Sequence, residues 1–458
     1  MGGGSAHVNP PHEVSVADGL TALLPATVTV DGVEVRTRSV PARPEFVTDP
    51  ETGLPGIHAW IHGADGALLE HKNVTGSMTV AGFDDNYPQA VGRVVVRAAV
   101  SRGGPVELGV IGPGSWTLTR SSGTWQIEVP RTGQGFGGDL LNPQSRSRVV
   151  ELADGEIVEA ELAPFGGDGP LDRVAIAGLI ARPAARDQDT VIAEAAAAAA
   201  QVDVAVVVVG LTEEQETESV DKTTLRLPGR QDDLLAAVAA VASRTVVVVN
   251  AATPVLMPWL DDVDAVLWAG LPGQEGGHAV AAALLGHLEP AGRLVTTFPA
   301  ADGATPAWDV QPVDGTVQYR EGTYIGYRGH HAGHAPAPAF WFGHGLGYGA
   351  WEYTDVRLTG LGDGIPEVSL TLHNTADRLS REVVQLYFDP ADAAEPVRLV
   401  GWTGVDVDAG GTVDVTVTAD RRMWRSWDPQ AHSWNRLTGG GRILVARGLG
   451  DVRATFDR

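Results

Sequence analysis

Val204-Ala-Val-Val-Val-Val-Gly210 runs directly into Leu211-Thr-Glu-Glu-Gln-Glu-Thr-Glu-Ser-Val-Asp-Lys222, and the stretch closes on Leu227-Pro-Gly-Arg-Gln231. The first part is apolar throughout and of strand length, which fits a strand covered on both faces, as in a parallel sheet. Pro228 and the Leu/Ala/Val pattern after it predict a helix start. The acidic residues therefore sit on a loop leaving the carboxyl end of a parallel strand. In open α/β sheets that is where ligands bind. A merely solvated acidic loop is the plain alternative, and the surrounding sequence has to decide between the two.

Around this stretch, strand and helix patterns alternate. A helix is predicted over Asp189–Gln201, a strand over Val204–Val209 and a helix over 228–242. Strands follow at Thr245–Asn250 and Ala265–Trp268, then a helix over Gln274–Gly286. Such alternation implies βαβ units and a parallel sheet. Upstream the texture differs. Gly92–Val100, Ser115–Thr119 and Thr124–Val129 are short alternating runs separated by Gly, Ser and Pro, as in an all-β sandwich. Residues 1–40 read as loop with one short apolar element near Leu20–Leu24 and an alternating strand at Ala26–Val33. After about residue 349 alternation returns in Val368–Leu372, Glu382–Tyr387 and Thr412–Val417, a second and smaller β-sandwich preceded by a linker-like Ala332–Pro338.

Composition bounds the function. The chain has 458 residues, 43% hydrophobic and 20% charged, with a formal net charge of −24 and no cysteine. That charge argues against nucleic acid and other polyanions, which need a basic footprint. The lack of cysteine excludes disulfides, thiolate catalysis and Cys-ligated zinc. No apolar run reaches the roughly 20 residues of a membrane-spanning helix. Met1-Gly-Gly-Gly-Ser-Ala6 has neither a basic nor an apolar signal region, so a cytoplasmic location is expected.

A set of motifs then carries a resemblance. Leu227-Pro-Gly-Arg-Gln231 is followed by Thr253-Pro-Val-Leu-Met-Pro-Trp259, Pro272-Gly-Gln-Glu-Gly-Gly277 and Glu289-Pro-Ala-Gly-Arg-Leu-Val-Thr-Thr-Phe-Pro299. After these come Tyr319–Arg328 and Phe340-Trp-Phe-Gly-His-Gly-Leu-Gly-Tyr348. Together they resemble the non-barrel part of a glycoside hydrolase family 3 β-glucosidase. Asn374, Glu382-Val-Val-Gln-Leu-Tyr387 and Leu399-Val-Gly-Trp402 resemble that family's fibronectin type III-like domain. The resemblance implies a multidomain α/β plus all-β chain. Residues 1–40 would start an α/β sandwich domain with a parallel sheet, interrupted by a PA14-like β-rich insertion over 41–171. The α/β domain would resume over 172–348, and 349–458 would form the fibronectin type III-like β-sandwich. Gly2–Ala6 fits the family's glycine-rich loop ahead of such an insertion, although the same residues make a common flexible linker.

Retaining glycosidases use two carboxyl groups about 5–5.5 Å apart, one as nucleophile and one as acid/base. In the family resembled here the nucleophile is an Asp on a (β/α)8 barrel, and the acid/base is a Glu on a loop reading Glu-x-Glu-Ser/Thr-Glu-Gly-x-Asp-Arg. Here the line is Glu214-Gln-Glu216-Thr-Glu218-Ser219-Val-Asp221-Lys222. The resemblance thus implies Glu218 as acid/base, with Glu216 second and Glu214 third, and Asp221 and Lys222 as substrate-side residues. Like-charge crowding should raise the proton affinity of one of these carboxyls. Ser219 and Lys222 depart from the pattern, and Lys lacks the bidentate fork of Arg. No barrel of ~250 residues and no Ser-Asp-Trp-type nucleophile segment is present, so the chain by itself is expected to be inactive.

No cofactor is implied. The expected substrate is a β-linked oligosaccharide or an aryl or alkyl glycoside, with a separately encoded barrel as partner. A reading from another class is a non-catalytic carbohydrate-binding or accessory protein in which the acidic loop is vestigial. His330, His331 and His334 read as a surface loop rather than a metal site, having no paired acid. Trp116 and Trp125 read as core aromatics, and Trp424, Trp427 and Trp434 as packing in the last sandwich. Pro272–Gly277 lacks the Lys-Ser/Thr of a phosphate loop, and Gly112-Pro-Gly-Ser-Trp is not an esterase elbow.

Overall fold

A computed structural model describes residues 8–458 apart from 9, 25, 37–39, 84, 86, 133–134, 167–172, 219–220, 310 and 361–363, and only the backbone of 135–137. The glycine-rich Gly2–Ala6 and Ser219 lie outside the described residues. The chain is mixed α/β with several sheets.

The parallel sheet is built as the apolar runs predict. Strands β1 (Ala205–Gly210), β2 (Thr245–Asn250) and β3 (Ala265–Trp268) pair in that order, Val207 opposite Val247 and Val249 opposite Trp268. Helix α1 (Val16–Leu23) starts with a capping box between Ser15 and Asp18. Helix α2 (Gln188–Ala199) is capped by Asp187, and α3 (Gln231–Ala239) joins β1 to β2. Helix α4 (Gly276–Leu284) follows β3. Val191, Ile192 and Ala195 of α2 and Leu234, Leu235 and Val238 of α3 bury one face of the sheet against Ala205, Val207, Val209 and Val247. Helices α1 and α4 pack against each other. A Cβ on Gly19 of α1 would come within 2.2 Å of the Gly277 carbonyl oxygen, so only glycine permits that approach.

Residues 47–183 hold an all-antiparallel sandwich of a seven-stranded and a four-stranded sheet, its core formed by residues such as Val94, Val96, Leu118, Leu162 and Leu179. Trp116 is fully buried there, its indole donating to the Gly112 carbonyl at 2.9 Å. Trp125 is partly buried beneath the Arg148 guanidinium. Strand Ala175–Pro183 pairs with Met78–Ala81 and Gly104–Ile111, so the all-β block reaches Pro183 rather than ending at 171. The expected strand Ala26–Val33 does not form. Its alternating pattern is present, but no strand among the described residues lies beside it to complete a ladder.

The last region pairs β4 (Trp351–Gly360), β5 (Glu367–Asn374) and β8 (Thr412–Thr418) in one sheet. A second sheet orders β7 (Arg398–Val407), β6 (Ser380–Pro390), β11 (Gly441–Gly448) and β12 (Asp451–Asp457). Trp424 is buried in the core they share. Trp427 and Trp434 correct the sequence reading. They face each other across a projecting ribbon of β9 (Arg425–Asp428) and β10 (Ser433–Arg436), and are 47% and 57% exposed.

This sandwich is bolted to the α/β part through polar groups. Glu382 of β6 is wholly buried between Arg293 at 2.9 Å and Arg447 at 2.8 Å. Gln385 donates to the carbonyls of Gly343 and Arg447 at 2.9 and 2.7 Å, and accepts from the Tyr387 hydroxyl at 2.7 Å. Three charges are thereby taken out of water together: Glu382 Oε1 accepts from Arg293, whereas Glu382 Oε2 and Arg447 Nε are paired by charge at 2.8 Å without hydrogen-bond alignment.

Candidate active site

The acidic loop is anchored before it becomes acidic. Gly210 ends β1 so close to β2 that a Cβ would lie 2.0 Å from the Asn250 carbonyl oxygen. The buried Gln231 side chain spans both backbone groups of Gly210, accepting from its amide at 2.8 Å and donating to its carbonyl at 3.0 Å. The Leu227–Gln231 motif is therefore the clamp that returns the loop to the strand end. Thr212, buried, bonds Gln215 through its amide and hydroxyl, and the Gln215 and Glu216 amides donate back to the Thr212 carbonyl at 2.9 and 2.8 Å. One tight turn results, carrying half-buried Glu214.

The remaining anchors come from the loop after β2 and from residue 302. The Ala252 amide donates to the Glu216 carboxylate, and the Lys222 ammonium donates to the Thr253 hydroxyl. Burial pushes the Lys222 amine below its ordinary value, with Glu216 opposing that shift. Asp302 takes the Thr224 hydroxyl and the Leu225 amide, both at 2.7 Å, and the Leu256 amide donates to the Leu225 carbonyl at 2.9 Å. Asp232, whose carboxyl burial pushes up, accepts the Trp259 indole at 2.9 Å.

Of the residues singled out from sequence, Glu216 and Lys222 are thus drawn onto the 252–253 backbone and side chain. Glu218 and Asp221 are exposed at the loop's outer part, and Glu214 lies on the turn below. The crowded acids are thus spread in space: the Glu216 carboxylate accepts from a backbone amide, and Glu218 is solvent-exposed. Thr253, Ala252 and Asp302 were not picked out as functional. Their partners lie 31, 36 and 77–78 residues away in sequence, and no local pattern marks such pairings. The buried polar atoms Thr217 Oγ1, Asn250 Oδ1, Trp268 Nε1 and Thr297 Oγ1 have no hydrogen-bond partner. Asn250 and Trp268 end adjacent strands, and the Trp268 ring meets that of Phe298, the neighbour of Thr297, at 5.5 Å. This end of the sheet therefore offers unmet polar groups to whatever lies against it.

No cluster of three or more His, Cys, Asp or Glu suited to a metal occurs among the described residues. His330 differs from the surface-loop expectation. It is buried on the short helix α5 (Tyr327–His331), its Nδ1 2.5 Å from the Pro336 carbonyl oxygen.

Residues 1–348 match the family model described as the glycosyl hydrolase family 3 C-terminal domain. The chain belongs to that family. Residues 382–448 match a fibronectin type III-like domain. The family 3 chain is 34% identical over 335 residues to the thermostable beta-glucosidase B of Acetivibrio thermocellus, covering 71% of the chain and 42% of that protein. It is 30% identical over 483 residues to the probable beta-glucosidase K of Emericella nidulans, covering 97% and 55%. Its fold follows the beta-glucosidase of Kluyveromyces marxianus with a TM-score of 0.84 at 24% identity, covering 100% of this chain and 57% of that one. The chain therefore spans about half the length of the relatives it matches.

Proposed function

We propose that this family 3 chain supplies the acid/base side of a retaining exo-β-glycosidase of β-glucosidase type. Its substrate would be a terminal β-linked sugar on an oligosaccharide or an aryl or alkyl glycoside. In this reading Glu218 protonates the leaving oxygen. An Asp on a (β/α)8 barrel outside the 458 residues attacks the anomeric carbon. The all-β block, extended to Pro183 by the pairing of its last strand, acts as a PA14-like block beside the pocket mouth, with 1–40 and the residues from 184 to 348 as the α/β domain and 349–458 as the fibronectin type III-like domain. The observation that carries the reading is the anchoring of the acidic loop at the end of β1. The loop leaves the carboxyl end of parallel strand β1, is anchored there by Glu216 on the Ala252 amide and by Lys222 on the Thr253 hydroxyl, and carries Glu218 at an exposed position between those two anchors in sequence. Asp221 and Glu214 flank it, and the β-glucosidase names of the relatives agree with the chemistry. The exposed Trp427–Trp434 pair supports the second reading, a non-catalytic carbohydrate-binding protein, because indole faces stack on sugar rings.

The test uses the chain completed by a family 3 barrel. Glu218→Ala should slow hydrolysis of alkyl glycosides on the order of 10²–10⁴-fold and activated nitrophenyl glycosides far less, since a good leaving group needs no proton. Equal loss on both, or no loss, rejects Glu218 as the acid. The 458-residue chain alone should not cleave nitrophenyl β-glucoside, and family-like hydrolysis by it would overturn the division between two polypeptide parts.

A further inference from the structure

The joint between the α/β part and the last β-sandwich is rich in histidine. His330, His331, His334 and His344 all fall within residues 327–345, which run along it. His331 Nδ1 lies 3.9 Å from Asp389 of β6, a carboxylate that Arg442 also holds. The His334 ring sits 4.5 Å from that of Tyr324, whose hydroxyl donates to the Ala393 carbonyl at 2.6 Å. His330 packs edge-on against Trp341, which in turn lies against Gly450 at the turn between β11 and β12. His344 alone stands in the charged centre of the joint.

Two glycines seat it there. A Cβ on Gly343 would lie 2.2 Å from Gln385 Oε1 of β6, and one on Gly345 would lie 2.8 Å from Arg293 Cδ. The His344 carbonyl accepts the Leu294 amide at 2.8 Å, the Gly343 amide donates to the Leu294 carbonyl at 2.8 Å, and the half-buried imidazole stands 5.1 Å from the Phe340 ring. The charged groups around it come from every neighbouring element. Arg293 and Arg447 of β11 share Glu382 of β6, at 2.9 and 2.8 Å. Asp451 of β12 takes Arg453 at 2.6 and 2.8 Å and lies 3.7 Å from Arg447. Further along the same loop, Glu289 accepts from the Tyr348 amide at 3.0 Å and from the Ser380 hydroxyl, and Arg378 lies over the Tyr348 ring. Tyr353 of β4, beneath Arg453, is kept neutral because burial pushes its hydroxyl up. Arg293, Arg447 and Arg453 therefore stand against Glu382 and Asp451, both already engaged. A proton on His344 would add a fourth cation to that cluster.

We propose that His344 makes this joint an acid-sensitive latch, closed while the imidazole is neutral and loosened when it is charged. Burial, with Arg293 and Arg447 beside it and Asp451 opposing them, pushes the imidazole below its ordinary value. Opening the joint returns His344 to water, where it binds a proton with the ordinary affinity of histidine. The open joint thus binds more protons than the closed one. Closure is complete above about pH 6.5 and weakens as pH falls below it, by at most about tenfold per pH unit for a single proton. Loosening is local. Each part keeps its own apolar core, and the contact of Tyr327 with Tyr387 still joins them. The latch holds or fails independently of which carboxylate is the catalytic acid, since no residue of the acidic loop takes part.

The test is amide exchange at residue resolution on the full 458-residue chain at pH 7.5 and 5.5, corrected for the intrinsic rate at each pH. The Gly343 and Leu294 amides should lose protection roughly tenfold at the lower pH. Val247 and Leu370, in the cores on either side, should keep theirs. His344→Gln and His344→Phe, one polar and one apolar, cannot take up a proton, and each should remove the loss. His344→Lys, charged throughout, should leave the two amides poorly protected at both pH values. Three results overturn the latch. One is equal protection of Gly343 and Leu294 at the two pH values in the parent chain. Another is the same loss in both neutral variants, which would pass the effect to His331 or to a carboxylate. The third is an equal loss at Val247 and Leu370, which would be general acid unfolding.

Discussion

The two flanks of the α/β part are finished to different degrees. On the flank facing β6 and β11, the motif residues Arg293 and Gly343 meet Glu382, Gln385 and Arg447, and both oxygens of the buried carboxylate face an arginine. On the flank along β1, which pairs on one edge only among the described residues, valines stand partly in solvent. Polar groups are costly to bury unmet, and apolar groups are costly to leave wet. The closed flank has its buried charges paired, though Glu382 Oε2 and Arg447 Nε lack hydrogen-bond alignment, and the other flank leaves apolar side chains in solvent.

The contrast can be broken most forcefully at the closed flank. Glu382→Ala would strand Arg293 and Arg447 in the interior and should cost about 3–5 kcal/mol in urea unfolding. A loss under about 1 kcal/mol would mean that water reaches the junction. Paired truncations sharpen the open flank. Val247→Ala, at a wholly buried position, should cost about 2 kcal/mol, whereas Val208→Ala should fall within about 0.5 kcal/mol. Equal costs would show that this edge closes in solution. The smallest effect concerns the cation that has no arginine-style pairing. Lys222 is held by a neutral hydroxyl, and burial lowers its proton affinity. The unfolded chain therefore binds more protons than the folded one as pH approaches 10.5, and stability should rise with pH in that window. Lys222→Gln should flatten that rise in pH-dependent melting, and an unchanged slope would show the amine to be solvated.

What was legible in sequence follows from the range of the interactions involved. The parallel strands, α2 and α4 come from local periodicity, and they form where the apolar runs place them. Ala26–Val33 carries an equally good strand pattern but does not ladder, because a strand needs a neighbour and periodicity does not supply one. Strand Ala175–Pro183 belongs to the all-β sandwich through partners some 70–100 residues earlier, which no local break in pattern announces. At the candidate site, the acidic loop and its position after β1 were readable. The Ala252 and Thr253 anchors were not, since they depend on how the β2 end packs against the loop. Trp427 and Trp434 show the converse: aromatic composition predicted burial, yet a two-stranded ribbon has too little surface to bury both rings.

The glycine contact between α1 and α4 has a thermodynamic consequence. Gly19 and Gly277 lock the helices at a separation no other residue pair would allow. Gly19→Ala would therefore have to shift whole helices rather than one side chain.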